Sequence, residues 1–156
     1  MREMSDAEAR RFLTTGTRTG KLAVVRPDGS PMVVPIWFDM DDDGSLVFTT
    51  GAGSIKGKAI QRDPQVSICV DDQTPPYSYV RVDGTAEVSE RPDELLRWAT
   101  CLAGRYIGAD LADEYGRRNA VPGELLVRMK PTEIVAQAEI AGREQESFGG
   151  APATSL

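Results

Sequence analysis

The run Thr49-Thr50-Gly51-Ala52-Gly53-Ser54-Ile55-Lys56-Gly57-Lys58 holds the residue types that suit an anion. Two hydroxyls end an apolar stretch, and three small residues let the backbone approach a ligand closely. Ser54 is of the type that caps a helix, and Lys56 and Lys58 fall near the first turn behind it. Free N–H groups, the positive end of a helix dipole and a lysine together make a phosphate site. The spacing matches neither GxxxxGK[ST] nor GxGxxG. A plain strand–turn–helix connection with solvated lysines accounts for the same residues, although lysines ordinarily favour the other end of a helix.

Two further segments carry chemistry by type. In Val33-Val34-Pro35-Ile36-Trp37-Phe38 a proline interrupts a strand pattern. Proline removes a ladder donor, so Pro35 belongs at an edge or a bulge, with backbone groups left to meet something flat. Trp37 and Phe38 then point to opposite faces; both also suit a barrel or an interface. In Tyr77-Ser78-Tyr79-Val80-Arg81 alternation places Tyr77, Tyr79 and Arg81 on one strand face. Such a row lines a pocket, pairs across a subunit interface or simply meets solvent. Arg105-Tyr106, near the end of a helical stretch, is a weaker candidate.

The 156 residues include no histidine. That removes the usual general base, the usual zinc ligand and every Ser-His or Cys-His nucleophile pair. Cys69 and Cys101 lie too far apart in sequence for a metal motif, so no metal site and no catalytic side chain is assigned. Eighteen basic against 24 acidic residues give a net charge of −6, opposite to what a phosphate-tracking nucleic-acid binder needs. No apolar run reaches membrane-spanning length, and the first residues carry no apolar signal region. The expectation is a cytoplasmic protein, without nucleic-acid or membrane partners, whose chemistry is brought by a cofactor.

The elements that must position these residues are short, as fifteen glycines and ten prolines require. Ser5-Asp6-Ala7-Glu8 is a capping box, opening a helix from Asp6 to about Thr14. Leu22–Arg26, the turn Pro27-Asp28-Gly29-Ser30 and Met32–Asp39 read as a hairpin. Asp41–Ser45 is a second turn; it lacks the later bidentate glutamate of a calcium loop. Leu46–Thr50 is a strand, Ile55–Arg62 a helix, and Val66–Val70 and Tyr79–Val88 are strands. Pro92 opens a longer amphipathic helix, Leu111–Arg118 adds a helical turn or two, and Glu124–Met129 and Glu133–Ala138 are two late strands. The order predicts one mainly β domain over 1–138, a small antiparallel barrel with helices over its openings, and a mobile tail over 139–156.

Asp28-Gly29-Ser30-Pro31 before an apolar strand, Phe48-Thr49-Thr50 with Ser54-Ile55-Lys56, and Arg62-Asp63-Pro64-Gln65-Val66 resemble the pyridoxamine 5′-phosphate oxidase-like split-barrel flavoproteins. Tyr77-Ser78-Tyr79 and Val82-Asp83-Gly84-Thr85-Ala86-Glu87-Val88 look most like the branch of deazaflavin-dependent reductases, which use coenzyme F420. The resemblance is good over about Thr19–Val88 and looser beyond. It implies a six-stranded split barrel and a homodimer with the cofactor at the subunit interface. Ser54 and Lys56, flanked by Ile55 and Lys58, would hold the phosphate. Thr49 and Thr50 would approach the ring and ribityl chain, Val34, Pro35, Ile36 and Trp37 would line the ring, and Tyr77 and Tyr79 would reach in from the partner.

Ile55 stands where the flavin-binding oxidases carry an arginine in a Ser-Arg-Lys run, so one guanidinium fork is missing. This weakens the FMN reading. With no histidine for pyridoxal phosphate, vitamin oxidation is disfavoured too. The implied activity is hydride transfer from the reduced deazaflavin to an unsaturated small-molecule acceptor. The alternatives are an FMN-binding oxidase or reductase of the same fold, and a non-catalytic carrier of a flavin, deazaflavin or haem-like molecule.

Overall fold

The computed structural model describes residues 1–142. In chain order the elements are β1 (Arg2–Glu3), α1 (Asp6–Thr14), β2 (Gly20–Val25), β3 (Pro31–Ile36), β4 (Asp39–Met40), β5 (Leu46–Gly51) and α2 (Ile55–Arg62). Then come β6 (Gln65–Asp72), β7 (Ser78–Ser89), α3 (Pro92–Ile107), α4 (Ala109–Asn119) and β8 (Glu124–Ala138). All strand pairs are antiparallel, in the spatial order β3-β2-β6-β7-β8-β5-β4, with β1 added to the far end of β8. The architecture is mainly β with flanking helices, a curled half-barrel. Its path holds seven strands where the resemblance implied six, because two-residue β4 pairs with β5.

The strands alternate, and their inner residues meet in one core. Leu22, Phe38, Phe48, Ile68, Val80, Val82 and Val127 are fully buried there. Two helices close this curl. Ala9 and Leu13 enter from α1, and Ala59 and Ile60 from α2. The capping box forms as read: Ser5 Oγ accepts from the Glu8 N–H and Glu8 accepts from the Ser5 N–H. The smaller second core lies on the opposite face of the sheet, where α3 packs Leu95 and Trp98 onto Val47 and Leu126.

Three boundaries differ from expectation. The late strands are one, β8, because Pro131 and Thr132 sit in a bulge rather than a turn. Asp83 faces Glu133 while Gly84 faces Pro131, so Thr132 is the extra residue, and its hydroxyl bonds the Asp83 carbonyl. A proline without a donor is tolerated at such a point. The strand expected over Met32–Asp39 stops at Ile36, and the chain crosses through Trp37 and Phe38 to begin β4. Residues 139–142 are tied down: the Ile140 and Ala141 N–H groups bond the carbonyls of Tyr77 and Pro76. The rest of the expected tail, 143–156, lies outside the described residues.

The α3–α4 pair, which forms one wall of the site below, depends on a close approach. A Cβ on Gly116 would lie 2.0 Å from Thr100 Oγ1 and 3.0 Å from Thr100 Cα. Gly116→Ala is expected to cost about 1–3 kcal/mol by overpacking, seen as a lower urea midpoint. An unchanged midpoint would mean that α4 moves freely on α3.

Candidate functional site

β5 runs toward α2 through the connection Ala52–Ser54, and the junction is tightly bonded. Ser54 Oγ accepts from the Gly57 N–H at 3.0 Å and donates to the Gly51 carbonyl at 2.8 Å. Thr50 Oγ1 is 3.1 Å from the same oxygen. The Ser54 hydroxyl is therefore committed to capping α2, and its donor hydrogen is already used. Thr50 is buried on the core side of β5, whereas Thr49 faces the other way, toward α3. Of the pair Thr49 and Thr50, the strand alternation turns only the first to the site.

What the junction leaves free is backbone. The Ile55 and Lys56 N–H groups, in the first turn of α2, find no acceptor among the described residues. Lys56 is half-buried and makes no ion pair among them, while Lys58 is exposed. Ile55 is 63% exposed, an apolar side chain pointing to solvent beside Lys56. The cradle thus has two amides, the helix dipole and one ammonium.

Gly57 makes this geometry possible. A Cβ there would lie 2.1 Å from the Gly51 carbonyl oxygen, a backbone atom that cannot swing aside. Gly57→Ala is expected to lever the start of α2 away from β5, lowering stability by about 1–3 kcal/mol and moving Lys56. Ligand titration beside thermal melting checks this. A variant that binds phosphate-bearing ligands as well as the parent would contradict it.

Lys56 opens onto a cleft of about 230 Å³ lined by Pro35, Ile36, Trp37, Thr49, Lys56, Ala99, Leu102 and Asn119. Residues from β3, β5, α2, α3 and the end of α4 thus meet at one place. Pro35 lies on β3, the last strand of the sheet path, as its missing donor requires. Val34 does not reach the cleft; it packs on the main core. Trp37 and Phe38 do point opposite ways: Phe38 is fully buried and Trp37 is 39% exposed.

The orientation of Trp37 comes from residues that the sequence ranked low. The Tyr106 ring stacks on Trp37 with centroids 5.2 Å apart and planes 1° from parallel. Its hydroxyl donates to the Arg18 carbonyl at 2.8 Å and accepts from the Phe38 N–H at 3.3 Å. Burial raises that phenol above its ordinary pKa, so it stays neutral near pH 7. Beside it, Arg105 spans three carbonyls, those of Phe38 (2.6 Å), Leu13 (2.8 Å) and Gly16 (3.0 Å). No sequence signal marks these partners, since all are backbone groups of distant segments.

Tyr77 and Tyr79 lie elsewhere. They line a groove of about 490 Å³ with Lys21, Cys69 and Asp71, and it shares no lining residue with the cleft. Tyr79 and Arg81 share the outer face of β7, but Tyr77 precedes the strand with φ of 63°, so the expected row of three is a row of two. Among the described residues no group of three or more His, Cys, Asp or Glu gathers as a metal site. Both cysteines are free. Among the described residues no helix is long and apolar enough to cross a membrane.

The family model for pyridoxamine 5′-phosphate oxidase matches residues 5–138. The chain belongs to this family. Among solved structures, a conserved hypothetical protein from Mycobacterium tuberculosis is 29% identical, over 96% of this chain and 95% of its own, with a TM-score of 0.77. A structure named F420 reductase is 30% identical, over 80% and 94%, with a TM-score of 0.62. An FAD-binding protein from Mesorhizobium loti, 22% identical over 86% and 95% with a TM-score of 0.62, shares the fold. No curated protein matches. The cleft of this family member takes Thr49 and Lys56 from the stretch Phe48–Lys56 that carried part of the resemblance.

Proposed function

We propose that the protein is a homodimeric oxidoreductase that passes hydride from reduced coenzyme F420 to an unsaturated organic acceptor. The observation that carries this reading is the meeting of Lys56 and the free amides of α2 with Pro35, Trp37 and Thr49 in one cleft. The 30% identity to a structure named F420 reductase supports it. So does Ile55, which leaves the cradle with one cation where a flavin-binding oxidase would have two.

The residues fit such a cofactor. Lys56 and the α2 amides would hold a phosphate, and Gly53, with open space beside it, would allow the chain next to it to lie close to the backbone. Trp37, clamped by Tyr106, and Pro35 give an apolar wall for a flat ring and keep water from it. When bound, the deazaflavin supplies the hydride-transfer chemistry; the protein supplies face, distance and dryness. The cleft lining holds no carboxylate, thiol or phenol, so a proton for the acceptor would come from solvent.

The dimer is part of the same proposal. On the outer face of β2, β6 and β7, half-buried Lys21, Ala23, Cys69, Tyr79 and Arg81 have no helix across them among the described residues, since α3 packs its core contacts on β5 and β8. A second copy on this face brings in the groove of Tyr77 and Tyr79. Free Cys69 and Cys101 accord with work in the cytoplasm. The second reading is an FMN-dependent enzyme of the same fold, since FMN also offers a phosphate to Lys56 and the α2 amides.

The test is reoxidation of the reduced deazaflavin by a panel of α,β-unsaturated carbonyl compounds, with sedimentation to find the oligomeric state. Turnover by a dimer is expected. Tight binding with no acceptor reduced would leave a carrier, and a monomer with full activity would remove the interface.

A further inference from the structure

We propose that Glu124 sets the specificity of the phosphate cradle, admitting a singly charged phosphodiester and rejecting a doubly charged phosphomonoester. This rests on the cofactor reading above and names the feature that chooses between its two ligands. Glu124 opens β8 directly across from Gly51, the last residue of β5. Gly51 has no side chain, and the space above it is taken: a Cβ there would lie 3.4 Å from Glu124 Oε1. Alternation puts that space on the Thr49 side of the strand, the side of the cleft. The Gly51 carbonyl beneath it accepts both the Ser54 N–H and the Ser54 hydroxyl. The carboxylate therefore stands over the residue to which the α2 cap is fastened.

The carboxylate is close enough to Lys56 for the ammonium to act on it, yet the two form no ion pair. No hydrogen bond holds the Glu124 carboxylate among the described residues, and partial burial raises its pKa above the usual carboxylate value. Glu90 lines the adjoining groove with it. The near charges are one ammonium and one carboxylate, plus the helix dipole of about half a positive charge. Such a balance suits one negative charge. A second meets Glu124 with no arginine at position 55 to offset it.

The two candidate ligands differ in this respect. Coenzyme F420 carries its phosphate as a diester between ribityl chain and side chain, with one charge. FMN ends in a monoester, whose second ionisation near pH 6 leaves close to two charges at pH 8.

The experiment is fluorescence titration at pH 8 of the full-length protein, Glu124→Gln and Glu124→Asp, each with coenzyme F420 and with FMN. Removing the carboxylate's charge is expected to tighten FMN binding about ten-fold or more and F420 binding much less, so the preference shrinks. Glu124→Asp keeps the charge and keeps the preference, which separates charge from any effect on folding. An unchanged FMN-to-F420 ratio in Glu124→Gln overturns the role of Glu124 while leaving the cradle standing. Failure of both ligands to bind the parent protein overturns the cradle, and this assignment with it.

Discussion

In Lys56→Ala the affinity for coenzyme F420 falls by roughly ten-fold to over a hundred-fold, while the melting temperature hardly moves. The size follows from losing one charge-assisted contact, about 1.5–3 kcal/mol. The selectivity of the effect follows from the surroundings. Lys56 is half-buried and forms no ion pair among the described residues, so truncating it breaks no direct contact there. Gly57, Ser54 and Gly51 keep their mutual bonds, and the α2 amides stay in place. Isothermal titration beside thermal melting separates the two quantities. Lys58→Ala, at an exposed position one residue past Gly57, serves as the control and should cost several-fold less. Equal losses at the two lysines would mean that diffuse charge, and not the cleft, draws the ligand.

Arg105→Ala is expected to have the largest effect on stability, about 3 kcal/mol and roughly 6–12 °C in Tm. The Arg105 side chain is 9% exposed. Its loss strips three carbonyls of their donor at once, on α1, on the loop after it and at the β3–β4 crossover. A guanidinium reaches all three because its donors are fixed in a planar fork. Arg105→Lys, with a single ammonium, should recover less than half of the loss. The consequence for the site is indirect. Phe38 anchors Arg105 and Tyr106 together, and Tyr106 stacks on Trp37. Trp37 is expected to gain freedom in the variant, read as a changed tryptophan emission at temperatures well below melting. A variant that melts like the parent would mean that water replaces the guanidinium without penalty.

The parts of this molecule legible in the sequence are those set by local chemistry. Ser5 with Glu8, and Ser54 ahead of Lys56, mark helix starts because a hydroxyl three residues before an orphan amide is a local geometry. The hairpin of β2 and β3 was legible through Pro27–Ser30, and the outward place of Pro35 through its missing donor. Where the reading went astray, a non-local contact decided. Pro131 breaks a strand pattern on paper, but β7 runs past it on both sides of a bulge at Asp83 and Gly84, and β8 continues. The Ser54 hydroxyl caps α2 as read, but its bond to the Gly51 carbonyl is a contact that residue type alone does not announce. Arg105 and Tyr106 gave only a weak signal, and Glu124 gave none. Their partners are backbone carbonyls or a glycine on another strand, and only the register brings them together.

The central claim is that Lys56, the α2 amides and the Pro35–Trp37 wall form a cofactor site with a preference for the deazaflavin. The most direct measurement is a titration of the purified full-length protein with coenzyme F420 and, separately, with FMN, followed by ligand fluorescence. The account predicts saturable F420 binding, at one ligand per subunit, with FMN weaker by about ten-fold or more. Stronger FMN binding would contradict the deazaflavin assignment, and no binding of either would contradict the site itself.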